Sequence, residues 1–104
     1  MRRGEVWWGE FEKPIGRRPV LVLSRDKSIS SREYVIVAQV TTHSRQIPTE
    51  IPLHKHEGMP RESVINLDVI NTVPKSSLVD KITDLDSQKL SAVEKVLKYV
   101  FELS

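Results

Sequence analysis

The chain has 104 residues, 38% hydrophobic and 29% charged, which indicates a folded single domain, residues 1–104, and excludes a long disordered segment. Its 16 Lys and Arg residues nearly balance 14 Asp and Glu residues, for a net charge of +2, so any nucleic-acid site must come from local clustering of cations. It has no cysteine, which excludes disulfides and thiolate metal sites and fits the reducing cytoplasm.

The N-terminal half of the chain predicts three strands. Residues 5–11 (EVWWGEF) are rich in β-formers, and after a short connection with proline and glycine, residues 20–23 (VLVL) predict a strand covered on both faces. Residues 25–32 predict a surface loop, with or without one helical turn. Residues 33–42 (EYVIVAQVTT) are dense in β-branched side chains and predict the longest strand, which ends in hydroxyls.

The second half predicts further strands. Residues 48–53 (PTEIPL) alternate polar and apolar but contain two prolines, which confines this strand to a sheet edge. A polar loop at residues 54–61 leads to a strand at 63–73 (SVINLDVINTV). One helical turn near 76–79 and a short strand at 81–85 follow.

The C-terminal segment predicts an amphipathic helix that begins at the N-cap Asp86. Apolar residues recur there at three- and four-residue steps, namely Leu90, Val93, Leu97, Val100 and Phe101, with Val96 and Leu103 widening the stripe. Five or six short strands and one helix describe a mainly β fold, a strongly bent sheet or partly closed barrel that the helix plugs or flanks.

No segment predicts export or membrane insertion. Glu5 and Glu10 interrupt the apolar run that a signal peptide needs, and the apolar run 20–23 is far short of the roughly 20 residues that cross a bilayer. We therefore expect a cytoplasmic protein that makes no membrane contact.

Arg18 is the first candidate for chemistry. Pro19 restricts it to extended geometry, so its guanidinium is held at the start of a buried strand. It must lie at the rim of the core and face either a carboxylate such as Glu10 or Asp68, or an anionic ligand. If the second and third strands pair antiparallel in a suitable register, Thr41 meets Arg18 at the same sheet end.

Histidines and tryptophans offer weaker signals. His43, His54 and His56 lack the spacing of a metal site, so we expect no metal. Trp7 and Trp8 are able to stack on bases, but in a strand with two faces one tryptophan is expected in the core and the other at a groove or interface.

Several stretches, taken in chain order, resemble the MazF/PemK family of bacterial toxin endoribonucleases. The matching stretches are RGEVWW (3–8), GRRPVLVLS (16–24), VIVAQVTTHS (35–44), GMPRESVINLDVINTV (58–73) and KSSLVDKITDLD (75–86). These stretches occur in the family's order along almost the whole chain, which is much more specific evidence for the resemblance than any one stretch.

The resemblance implies an SH3-like small barrel with a C-terminal helix and a homodimer. It implies a toxin that cleaves single-stranded RNA at short sequences without metal or other cofactor, which inhibits translation and growth. It also implies a cognate MazE-like antitoxin whose acidic tail occupies the RNA groove.

The resemblance also assigns roles to residues. Arg18 matches the catalytic arginine, and Thr41 matches the threonine that ends the third strand. The residues expected to contact RNA beside them are Arg17, Thr42, His43 and Asp68. In the implied reaction the substrate's 2′-hydroxyl attacks the phosphate, leaving a 2′,3′-cyclic phosphate and a 5′-hydroxyl, while Arg18 stabilises charge and Thr41 donates to the phosphate.

Two features depart from the family pattern. The connection at residues 11–16 is shorter than in many relatives and lacks their SEQ stretch with its glutamate, which leaves Asp68, Glu10, His43 or water as the base. Asn66 and Asn71 occupy positions where relatives often carry arginine, so base preference, RNA affinity or activity is expected to differ.

Two other functions are compatible with the pattern. One is a non-enzymatic toxin of the CcdB type, which shares the barrel and inhibits DNA gyrase through C-terminal helix residues. The other is a plain binding module in which Arg17 and Arg18 hold an acidic peptide.

Overall fold

The computed structural model describes residues 1–104 and contains six strands and two α-helices. The strands are β1 (Glu5–Glu10), β2 (Arg17–Val22), β3 (Tyr34–Thr41), β4 (Glu50–Leu53), β5 (Ser63–Pro74) and β6 (Leu78–Asp84). The helices are α1 (Asp26–Ser31) and α2 (Ser87–Val100), and single 3₁₀ turns lie at Lys55–Glu57 and Lys75–Ser77. No helix combines the length and the apolar character needed to cross a bilayer.

All six strands form one antiparallel sheet in the order β4-β5-β3-β2-β1-β6. The two end strands, β4 and β6, do not pair with each other, so the barrel is only partly closed. The register shifts between Ala38 and Gln39 of β3, and twice along the β1–β6 pair, and such irregularities bend a sheet. The expected mainly β, partly closed barrel with a C-terminal helix is confirmed, as is the position of the proline-containing strand β4 at an edge.

The sheet buries apolar side chains on both faces because residues alternate between the faces along each strand. On one face Leu21, Ala38 and Val40 belong to the main core, against which α2 packs Val93. The opposite face carries a smaller cluster that includes Val20, Val22, Ile29, Val35 and Val37. We call these the helix face and the open face.

Helix α2 begins as the sequence predicts. The Asp86 carboxylate accepts a hydrogen bond from the backbone N–H of Lys89 at 2.8 Å, which satisfies one of the free donors of the first turn. The apolar stripe is shorter than predicted, because the helix ends at Val100 and the side chains of Phe101 and Leu103 are 57% and 62% exposed.

Several elements differ from the sequence prediction. Residues 26–31 form a six-residue helix, longer than the single turn allowed in the predicted loop, because Ile29 is buried in the open-face cluster. Strand β2 begins at Arg17, and β6 begins at Leu78 instead of residue 81. The predicted polar loop 54–61 also contains Met59, which is buried in the main core.

Candidate active site

A cleft of about 360 Å³ lies on the open face, between the β1–β2 hairpin and strands β2, β3 and β5. Its walls are mainly apolar, with Phe11 and Ile15 from the hairpin and valines from the three strands. Three longer polar side chains, Arg18, Gln39 and Asn71, also line it. The cleft therefore combines an apolar interior with one cation and two amides.

Arg18 is exposed at this cleft and makes no ion pair. Its Nε donates a hydrogen bond to the backbone carbonyl of Ile15 at 3.2 Å, which holds the side chain toward the hairpin. Neither of the carboxylates considered from the sequence, Glu10 and Asp68, neutralises it. The positive charge of the guanidinium thus remains available to an anionic ligand.

Arg17 has quite different surroundings. Its guanidinium donates to Glu10 Oε1 at 2.9 Å and to Asp80 Oδ2 at 3.4 Å, and it lies 4.8 Å from the centre of the Trp8 ring. Because adjacent residues of a strand point to opposite faces, Arg17 lies on the other side of the sheet from Arg18. The structure does not bring Arg17 into the cleft.

The β2–β3 register relates Thr41 to Arg18. Val20 and Gln39 form the last pair of the β2–β3 ladder, and Arg18 and Thr41 each lie two residues beyond that pair, so strand alternation puts both on the open face. Thr41 is half-buried, and its Oγ1 accepts a hydrogen bond from the backbone N–H of His43 at 3.1 Å. The hydroxyl hydrogen of Thr41 remains free to donate to a ligand.

Thr42 and His43 are exposed in the segment that follows β3, and neither side chain makes a hydrogen bond within the chain. Glu50 of β4 orders this segment. Its Oε1 accepts from the backbone N–H of Arg45 at 2.8 Å and from the Ser44 hydroxyl at 3.4 Å, whereas its Oε2 is buried without a partner. No motif in the sequence marks Glu50, because its role depends on contacts with a neighbouring segment.

Asp68 lies where β5 bulges away from β3, between the paired residues Asn66 and Ile70. Its Oδ2 accepts from the Thr49 hydroxyl at 2.5 Å, and its backbone N–H donates to Asn66 Oδ1 at 3.0 Å. Asp68 therefore stabilises the bulge and the start of β4, and the structure does not pair it with Arg18.

Gln39 and Asn71 also line the cleft, a position that the sequence alone does not predict. In the sequence, Gln39 is only part of a strand and Asn71 only a departure from the family pattern. Neither side-chain amide makes a hydrogen bond within the chain. The available signal was a long polar residue inside an otherwise apolar strand, as in VAQVT.

The remaining histidines lie apart from the cleft. The rings of His54 and His56 stack with centroids 5.0 Å apart, and His54 Nδ1 lies 2.9 Å from Glu62 Oε1. The backbone N–H of Lys55 hydrogen-bonds Glu62 and, with His54, lowers the pKa of that carboxyl. The structure gathers no group of three or more His, Cys, Asp or Glu residues that could hold a metal ion.

Together these residues can bind an anion next to a flat apolar group. Arg18 and Thr41 lie on one face, and no carboxylate of the chain pairs with the Arg18 guanidinium. A forked guanidinium suits the oxygens of a phosphate. The adjoining cleft accepts an uncharged group that can also hydrogen-bond with Gln39 and Asn71.

Comparisons with known proteins show what this chain is similar to. A sequence model of the family described as "PemK-like, MazF-like toxin of type II toxin-antitoxin system" matches residues 2–101. The chain is 38% identical over 103 residues to "Probable endoribonuclease MazF5" of Mycobacterium tuberculosis, covering 98% of this chain and 94% of that protein. It is 33% identical over 106 residues to "Endoribonuclease EndoA" of Bacillus subtilis, covering 94% and 91%.

A solved structure shares the fold. "Mycobacterium tuberculosis toxin MazF-mt6" superposes with a TM-score of 0.88 at 27% sequence identity, covering 96% of this chain and 98% of that one. The superposition therefore leaves out only a few per cent of either chain.

Proposed function

The chain belongs to the family of PemK-like, MazF-like toxins of type II toxin–antitoxin systems, and we propose that it is an endoribonuclease that cleaves single-stranded RNA at short sequences. Relatives at 38% and 33% identity are named endoribonucleases, which supports this activity. The observation that carries the proposal is the unpaired guanidinium of Arg18 on the same face as Thr41. Cleavage of messenger RNA inhibits translation and growth.

The chemistry follows from these two side chains. The 2′-oxygen of the substrate loses its proton and forms a bond to phosphorus as the bond to the 5′-oxygen breaks. The 5′-oxygen takes up a proton from solvent, so the products are a 2′,3′-cyclic phosphate and a 5′-hydroxyl. Arg18 stabilises the charge that develops on the phosphate oxygens, and the free hydroxyl hydrogen of Thr41 donates to the same group. DNA is not cleaved because it lacks the attacking hydroxyl. The reaction requires no metal ion.

His43 is the best-placed group to remove the proton from the 2′-hydroxyl. Of the other candidates, Glu10 is bound by Arg17 on the helix face, and Asp68 accepts from Thr49 in the bulge. The His43 side chain is exposed and without a partner, and its backbone N–H is tied to the Thr41 hydroxyl. Histidine is the side-chain type that exchanges protons most readily near neutral pH.

Two different surfaces of the chain account for the expected partners. The uncompensated charge of Arg18 favours an antitoxin with an acidic tail, which would exclude RNA by occupying its groove. Exposed Tyr34 and Ile36 at one end of β3 favour burial against a second copy of the chain, so the active form is a homodimer. We place this single toxin domain in the cytoplasm, where its substrate is made.

A direct assay tests the activity. The purified protein is incubated with single-stranded RNA in EDTA, and the product ends are identified by mass spectrometry. We expect 2′,3′-cyclic phosphate and 5′-hydroxyl ends, and we expect Arg18→Ala and Thr41→Ala to abolish them. Arg61→Ala is the matched control, because Arg61 is exposed and its side chain has no partner. Full activity in Arg18→Ala would refute the assignment.

The gyrase-inhibiting alternative rests on one observation, the exposed apolar side chains of Tyr99, Phe101 and Leu103 at the C-terminus. It predicts that the protein copurifies with DNA gyrase and that substitutions at these residues relieve inhibition. The named endoribonuclease relatives favour RNA cleavage instead.

A further inference from the structure

We infer that the cleft beside Arg18 binds one nucleobase next to the scissile phosphate, and that Gln39 and Asn71 read the edge of this base. This inference rests on the proposed RNA cleavage. According to this inference, two side-chain amides of this chain determine which base is preferred at one position of the cut sequence.

The placement of the amides comes from the sheet register. Gln39 pairs with Val20, and Asn71 pairs with Val37, while Val20 and Val37 both belong to the open-face cluster. Directly paired residues share a face, so both amides project on the side where Arg18 lies. All five of these side chains line the same cleft.

The lining matches a nucleobase better than it matches an anion or an apolar side chain. Arg18 at the rim is the only charged residue of the lining, and the interior is formed by Phe11, Ile15 and valines that suit the faces of a flat ring. An apolar occupant would leave both amides desolvated without partners, which is costly. A base edge offers donors and acceptors together, as an amide does.

The geometry also ties the base to the reaction. Arg18 and Val20 are two residues apart on the same face of β2, so a phosphate at the Arg18 guanidinium and a base against Val20 are adjacent parts of one nucleotide strand. Glutamine and asparagine amides pair with a base through two parallel hydrogen bonds, which discriminate among bases. Discrimination among bases by these two amides is therefore expected at one nucleotide position next to the cut.

Cleavage-site mapping tests this assignment. Cut sites of the wild-type protein on a long unstructured RNA define the preferred sequence, and kcat/KM is then measured for the preferred oligonucleotide and for those changed at each single position. For Gln39→Met and for Asn71→Leu we expect the preference at one nucleotide adjoining the cut to fall about tenfold, the loss expected for one amide–base pair. Gln88→Met, on the exposed surface of α2, is the matched control and should leave every preference unchanged.

A binding experiment distinguishes failure of this inference from failure of the proposed activity. The same variants are titrated with an oligonucleotide that carries a 2′-deoxy nucleotide at the cut and is therefore not cleaved. If the wild type cleaves RNA but both variants keep its base preference, the base pocket is wrong and the nuclease stands. If the wild type cleaves no RNA and binds every oligonucleotide equally, both are wrong. An unchanged preference with an altered oligomeric state would instead make the cleft an interface between copies.

Discussion

Arg17 and Arg18 are neighbours in the chain and lie on opposite faces of the sheet. Arg17 is fixed by Glu10, Asp80 and the ring of Trp8, whereas Arg18 has one hydrogen bond, to a backbone carbonyl, and an open cleft in front of it. Strand alternation gives the two adjacent cations different tasks, one in the stability of the hairpin and one in ligand binding.

The first prediction separates these tasks. Arg17→Ala should lower the free energy of unfolding by about 1 kcal/mol, because it removes two exposed ion pairs and a cation–π contact, and should leave the catalytic rate within a few-fold of wild type. Arg18→Ala should lower the rate by at least about 100-fold with little change in stability. Urea denaturation and RNA cleavage measured on both variants check this. Equal loss of activity in the two would place Arg17 in the RNA site.

The second prediction concerns the hydroxyl of Thr41. Thr41→Val keeps the shape but removes the donor, so we expect kcat to fall about 100-fold. Thr41→Ser keeps the donor and the acceptor for the His43 N–H, so we expect most of the activity to remain. Single-turnover cleavage of a short RNA measures both. A Thr41→Val enzyme as fast as the serine variant would show that the hydroxyl does not act on the phosphate.

The third prediction tests His43 as the base. His43→Gln should lower kcat about 100-fold or more, within the range for loss of a general base, without weakening the binding of a 2′-deoxy oligonucleotide. His56→Gln is the control, since His56 lies with His54 away from the cleft. If His43→Gln weakens binding but leaves kcat unchanged, His43 is a binding residue only.

The fourth prediction addresses Glu50. Glu50→Ala removes the acceptor of the Arg45 N–H, so the segment carrying Thr42 and His43 loses order and KM should rise several-fold. Glu50→Gln keeps an acceptor for the Arg45 N–H and removes the negative charge of a carboxylate whose Oε2 is buried without a partner. The stability of this variant should therefore equal or exceed that of the wild type. Thermal melting and steady-state kinetics measure the two effects. A Glu50→Gln variant that melts well below the wild type would contradict this reading.

The fifth prediction is a pH dependence of stability set by Glu5. Burial raises the pKa of this carboxyl, but hydrogen bonds from Trp7 Nε1 and the Arg2 N–H, together with Lys81, outweigh it and hold the pKa below its ordinary value of 4.5. The folded state therefore binds the proton more weakly than the unfolded state. The stabilisation is complete above pH 4.5 and is lost as the pH falls through the folded-state pKa.

Glu5→Gln isolates this effect. The variant should lose about 1–3 kcal/mol at pH 7, because a buried set of donors loses its charged acceptor. The difference in unfolding free energy between wild type and variant should then shrink as the pH falls below 4.5. Urea denaturation at several pH values gives this difference. A difference independent of pH would show that Glu5 titrates alike in both states.

Much of the fold was accessible from the sequence, because local chemistry decides it. Dense β-branched residues predicted β3 and β5, prolines placed β4 at an edge, and Asp86 with the apolar stripe predicted where α2 begins. Helix α1 was underestimated, because its stability comes from burying Ile29 against strands rather than from its serine-rich sequence.

The residues next to Arg18 are enough to predict that it stands at the start of a buried strand with its backbone restricted by Pro19. What Arg18 faces depends on residues far from it in the chain, which only the folded sheet brings together. Gln39 and Asn71 reach the same cleft through the β2–β3 and β3–β5 registers, which include a shift next to Gln39. A slip of one residue would turn either amide to the helix face, and cross-strand packing of the whole sheet, not the residues beside each amide, sets that register.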